Sequence, residues 1–125
     1  MNIQLKNWQV KNLSLGKAET QENKNEFRLS MGHFFPDNNS KEFGVGFQIE
    51  IYDDNFNISL EMAFLFQMDE NVTNDFRDSD FVKINAPAIA FPYLRSYISN
   101  LTLQSGFSPI ILPSINFVEF AKQNK

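Results

Sequence analysis

The chain has 125 residues, a net charge of -4 and a pI near 4.9. Its eleven Lys and Arg residues form no run, which argues against nucleic acid as the main partner, because phosphate binding needs clustered basic side chains. It has no cysteine, which excludes disulfides, thiolate nucleophiles and cysteine-based metal sites. The length fits a single domain, residues 1–125, with one modest core.

Ile3 to Leu15 reads as an interrupted strand. Ile3 and Leu5 share one phase, Trp8 and Val10 the other, and Leu13 and Leu15 revert, and each change of phase points to a bulge or bend. Met1 to Val10 alternates polar and apolar residues and reads as no signal peptide. No stretch approaches the ~20 apolar residues of a membrane span, so the expected location is cytoplasmic. Gly16 to Asn25 reads as loop. Phe27, Leu29, Met31, His33 and Phe35 define a second strand, and Pro36 to Ser40 a turn.

Two cleaner strands follow. Phe43, Val45, Phe47, Ile49 and Ile51 occupy one face. After the Asp53-Asp54-Asn55 turn, Phe56, Ile58, Leu60, Met62, Phe64, Phe66 and Met68 hold period two. Such alternation predicts a sheet with one buried and one more polar face, the latter bearing Phe34, Ala63, Leu65 and Trp8. Gly44 and Gly46, inside a strand with no phosphate loop after them, are placed to let a backbone or ring approach closely. Sequential strands with short turns predict an antiparallel meander.

Asp69 to Asp80 reads as an acidic solvated loop. Tyr93, Leu94, Tyr97, Ile98 and Leu101 then fall at helical spacing, with Pro92 in the first turn and Gly106 as the residue that ends the helix. Asn85-Ala86-Pro87 is a possible earlier turn. Phe107 to Pro113 should run extended, and Ser114 or Asn116 should cap a short helix from Phe117 to about Lys122. The expected fold class is therefore α+β: a four-stranded antiparallel sheet (meander) followed by one long and one short C-terminal helix.

No constellation for catalysis is present. The one histidine, His33, lies in a strand beside Phe34 and Phe35 without companion ligands. The Asp53-Asp54 pair and the Asp75, Asp78, Asp80 group lack calcium-loop spacing. The expectation is a non-enzyme without metal or cofactor. The unusual number is fourteen Phe against one Trp and three Tyr, more large rings than so small an interior comfortably encloses. Some should lie at a subunit interface or in an exposed groove.

The last third carries a family resemblance. Ile89-Ala90-Phe91-Pro92-Tyr93-Leu94-Arg95, then Gly106-Phe107-Ser108-Pro109, then Leu112-Pro113-Ser114-Ile115-Asn116-Phe117 resemble, in order, the Phe-Pro-Tyr-x-Arg, Gly-x-Phe-Pro and Leu-x-Pro-x-Asn-Phe elements of the SecB chaperones of protein export. The resemblance implies a homotetramer built as a dimer of dimers. It also implies a cytoplasmic holdase that keeps unfolded preproteins from folding and passes them to the SecA motor. The family's SecA-docking face is acidic, whereas the matching positions here hold Asn12, Gly16 and Ser59, with Glu61 the one candidate substitute. The acidic docking residues are thus largely missing. An alternative is a SecB-like chaperone dedicated to one aggregation-prone partner, such as the antitoxin of a toxin–antitoxin system. The expected client groove is Trp8, Phe34, Phe35, Phe64, Phe66 and Phe91, and the expected oligomer interface Tyr93, Tyr97 and Leu101.

Overall fold

The computed structural model describes residues 2–18, 26–37 and 40–123. Contacts divide the chain into two compact units, Met1–Asn71 and Val72–Lys125.

The first unit is a four-stranded antiparallel sheet of β1 (Ile3–Lys17), β2 (Glu26–Phe34), β3 (Glu42–Tyr52) and β4 (Phe56–Met68). The strand order is β1-β4-β3-β2. The meander is thus confined to β2, β3 and β4, and β1 pairs with β4 instead of β2. The thirteen residues of β4 give the fifteen of β1 a partner of matching length, while β2 has nine. Of the expected Gly16–Asn25 loop, Gly16 and Lys17 belong to β1, and residues 19–25 lie outside the described residues, as do 38–39 of the expected turn.

The phase changes in β1 are two register shifts, between Leu5 and Asn7 and between Val10 and Asn12. Each inserts one residue, Lys6 and Lys11, and each insertion resets the alternation. Ile3, Leu5, Trp8, Val10, Leu13 and Leu15 therefore all face the side of β4 that carries Met68, Phe66, Phe64, Met62, Leu60 and Ile58. This moves Trp8 from the polar face, where simple alternation put it, to the apolar one. The core of this unit is the apolar face of the two central strands, from Phe43 to Ile51 and from Phe56 to Met68, where every alternate side chain is buried.

The second unit is helical. The acidic connector holds a short helix, α1 (Asn74–Arg77), because Thr73 accepts the Phe76 N–H at 3.1 Å and caps it. A π-helical turn, Phe81–Asn85, leads into α2 (Ala86–Gln104). The helix starts six residues before the position the sequence indicates. Pro87 takes its first turn, and Pro92 lies inside it, where it offers no N–H to the carbonyl of Ala88. Gly106, at φ 91°, ends α2 as expected, with Phe107 N–H on the Thr102 carbonyl and Gly106 N–H on the Leu103 carbonyl. After an extended segment, α3 (Phe117–Gln123) begins under Asn116, whose Oδ1 accepts the N–H groups of Val118 and Glu119. Val82, Ala86, Ala90, Phe91, Leu94, Ile98, Leu112 and Phe117 are buried in this unit. Among the described residues no helix is long and apolar enough to cross a membrane.

Candidate functional site

The apolar face of the sheet is unevenly covered. Trp8 sits opposite Phe64, Val10 opposite Met62 and Leu13 opposite Leu60. The β4 members of these pairs are buried, but Trp8 is 44% exposed, and Val10 and Leu13 are exposed as well. In the sheet β4 has a strand on both sides, while β1 is an edge. The Trp8 ring stacks on Phe64 with centroids 6.1 Å apart, and Phe64 in turn meets Phe47 edge-on at 5.8 Å, so a buried aromatic column ends in an accessible indole.

The opposite face carries a second apolar feature. Phe34, Gly44, Leu65 and Asn7 form one row across the four strands, and Gly32, Gly46, Ala63 and Gln9 the next. The Phe34 ring, 38% exposed, lies over Gly44 in the space a side chain would fill, which is the close approach expected of that glycine. Among the described residues nothing lies within 4 Å of where a side chain would begin at Gly46 or Gly32. The result is an open depression of about 470 Å³ whose lining includes Phe34, Leu65, Ala63, Gly46, Gln9 and Glu61.

The remaining candidates fall into two groups. Phe35 is half-buried, while Phe64, Phe66 and Phe91 are buried, Phe66 stacked on Phe43 at 5.1 Å and Phe91 edge-on to Phe117 at 5.6 Å. Seven of the fourteen phenylalanines are buried and only Phe34 is exposed, so accessible aromatic surface is concentrated in few residues. On α2, Tyr93 is exposed, and Tyr97 and Leu101 are half-buried. Sequence reasoning did not single out Val10 and Leu13 as surface residues, nor Ile89, Ile111 and Val118, all exposed. Counting one inserted residue at each phase change assigns the first two to the apolar face but not to the surface.

The chemistry available is that of contact, not reaction. His33 is a half-buried strand residue, and among the described residues no group of three or more His, Cys, Asp or Glu side chains could hold a metal ion. The polar face is weakly charged where Asn12 pairs with Glu61, Ser14 with Ser59 and Gly16 with Asn57. Beside this patch Glu50 accepts the Tyr52 hydroxyl at 3.0 Å, and the Arg28 guanidinium sits 5.7 Å from the Tyr52 ring centre. The hydrogen bond to Glu50 raises the Tyr52 phenol above its ordinary pKa. Lys6, the first inserted residue, reaches Glu42 at 3.0 Å.

The family model described as preprotein translocase subunit SecB matches residues 1–125. The protein-export protein SecB of Afipia carboxidovorans is 35% identical over 69 residues, which is 55% of this chain and 42% of that protein. An uncharacterised protein of Methanocaldococcus jannaschii is 39% identical over 59 residues, 47% of this chain and 37% of its own length. These matches thus span about two-fifths of the curated relatives. Among solved structures, a SecB-like chaperone of Mycobacterium tuberculosis in complex with a ChAD peptide from the HigA1 antitoxin superposes with a TM-score of 0.68. It is 14% identical, and the match covers 90% of this chain and 87% of that one. A Streptococcus agalactiae protein of unknown function gives 0.62 at 14% identity, covering 90% and 98%. At this identity the likeness is one of fold.

Proposed function

The chain belongs to the SecB family of preprotein translocase subunits, and on that premise we propose that it is a cytoplasmic chaperone without catalytic activity, a holdase that binds non-native polypeptide. The observation that carries the reading is the stripe of Trp8, Val10 and Leu13 left uncovered on the apolar face of an edge strand. An accessible run of apolar side chains beside a fully buried row is surface that a folded monomer gains by covering. A non-native segment, extended and apolar at alternate positions, fits such a stripe without needing a specific sequence. Binding it opposes both folding and aggregation of the client by mass action.

Phe34 and Phe35 at the end of β2 form a second contact region in this proposal, and Phe64, Phe66 and Phe91 act as the buried support beneath the accessible rings. Tyr93, Tyr97 and Leu101, one helical turn apart on α2, are the proposed contact between copies of the chain in a homotetramer. The peptide bound by the M. tuberculosis chaperone comes from an antitoxin, but the stripe here supports a general client. Docking of SecA would have to proceed on a polar face with little acidic character around Asn12, Ser59 and Gly16.

The test is suppression of aggregation of a chemically unfolded precursor, with wild type compared against Trp8→Ser/Leu13→Ser. The wild type should hold the precursor in solution and the double variant should not, with the same mass by light scattering. Equal suppression by the two proteins would remove the stripe from the reading, and no suppression by wild type would remove the reading itself.

A further inference from the structure

Three of the chain's five glycines surround one side chain. Phe34 pairs with Gly44 across the β2–β3 ladder, Gly46 is its diagonal neighbour on β3, and Gly32 is the next residue of β2 on the same face. Cross-strand partners share a face of the sheet, and so do residues two apart in one strand. A glycine inside a strand weakens it, because there is no side chain to pack, and it often marks a place that another group approaches closely. Three such positions around a single ring point to a use for the space above them.

The ring's position accounts for one glycine. It lies over Gly44, which is buried beneath it, and a Cβ on Gly44 would meet the ring. Gly46 is half-buried and Gly32 exposed, with the space above both open. Two depressions, of about 470 and 350 Å³, adjoin at this point, and Phe34, Gly46 and Glu61 line both. Ala63, the partner of Gly46 on β4, adds only a methyl group to the floor.

The ring can reach that space. Side chains in strands commonly take either of two χ1 wells, and a diagonal neighbour about 7–8 Å away is within range of an aromatic side chain. Among the described residues Phe34 touches no other aromatic ring, so no stack ties it to Gly44.

We infer that Phe34 is a swinging ring with two glycine seats. Over Gly44 it leaves the depression on the polar face open, and over Gly46 it fills the depression. A side chain at either glycine would remove a seat, and Gly32 keeps the path between them clear. Accessible aromatic surface on this face is thus switched by a rotamer change, with no movement of the strands. The device does not depend on the holdase reading, whose Trp8, Val10 and Leu13 stripe lies on the other face.

The test uses the full chain with Ala and Leu methyl groups labelled for nuclear magnetic resonance. Leu65 pairs with Gly44 and Ala63 with Gly46, so each seat has its own reporter of the ring's magnetic effect. The ring's contribution at a methyl is the shift difference between a protein and the same protein carrying Phe34→Leu. Rotamer flips of exposed side chains are fast, so wild type reports the average of the two seats. At Ala63 the contribution should be largest in Gly44→Ala, intermediate in wild type and smallest in Gly46→Ala. At Leu65 the order should be the reverse. Loss of the contribution from both methyls in Gly44→Ala would overturn the inference, because the ring would then have swung out into water. A wild type equal to Gly46→Ala at Ala63 would overturn it as well, since the ring would then never leave Gly44. If Gly44→Ala fails to fold, that second comparison decides alone.

Discussion

Strands β1 and β4 are paired through thirteen register positions and present the same kind of side chain to the same face, yet they are used differently. In β4, Leu60, Met62 and Phe64 are buried. Opposite them in β1, Leu13, Val10 and Trp8 are exposed. The chemistry of the two rows is alike, so what separates core from contact surface is place in the sheet. A central strand is flanked on both sides, and an edge strand is not. The edge is also where the backbone needs protection from unwanted pairing, and β1 carries two bulges whose inserted residues are both lysines, Lys6 and Lys11. Bulges and lysines are the common devices that blunt an edge. The strand carries both devices while its apolar side chains Trp8, Val10 and Leu13 stay exposed.

The comparison breaks most visibly if matched residues of the two strands are truncated. Phe64→Ala should cost about 3–5 kcal/mol, as expected for a fully buried ring. Trp8→Ala, its partner across the pair, should cost no more than about 2 kcal/mol, because much of its surface is already in water. Denaturant melts of the two variants check this, and equal losses would mean that Trp8 is core.

Deleting Lys11 tests the bulge itself. With the insertion gone, Val10 and Asn12 become neighbours opposite Met62 and Glu61, so β1 can pair regularly with β4 while Trp8 and Val10 keep their face. The expected outcome is a stability change of about 1 kcal/mol, with the emission of the single tryptophan unchanged; a shifted emission would mean that Lys11 is not the inserted residue.

Period two in β3 and β4 made their faces legible in the sequence, and the phase breaks of β1 made its bulges legible. The strand order was not legible, because alternation states which side a residue takes and not which strand lies beside it. The same limit explains Phe64 and Phe66, which alternation places on the apolar face without saying that β4 is central and will bury them. In the helical unit, Pro87 and Pro92 both read as boundaries, so the start of α2 at Ala86 was missed. Gly106 and Asn116 were readable because their roles depend on local backbone geometry alone. Ile111 left no signal, since the run Ile110-Ile111-Leu112 between two prolines is too short to show which of its side chains faces out.

Smaller effects sharpen the picture on the polar face. Gly44→Ala should displace the Phe34 ring from its seat over the strand, changing stability by about 1 kcal/mol or less while altering peptide affinity as Phe34→Ala does. Calorimetry and peptide titration of the two variants check this. The smallest effect concerns Tyr52. Its phenol holds its proton more tightly in the folded chain than in the unfolded one, because its hydroxyl bonds to Glu50. The stability this adds is present below the ordinary phenol pKa and is lost as pH rises through the raised folded value. Ultraviolet titration should show one tyrosine ionising late in wild type and at an ordinary pH in Glu50→Gln.

The central claim, that the uncovered β1 stripe receives non-native polypeptide, is most directly tested on Trp8, the one tryptophan in the chain. Its emission should move to shorter wavelength as a fluorophore-labelled synthetic peptide with Leu and Phe at alternate positions is titrated in, with a midpoint equal to the Kd measured from the peptide's own label. Saturation of the labelled peptide with no change in Trp8 emission would contradict the claim.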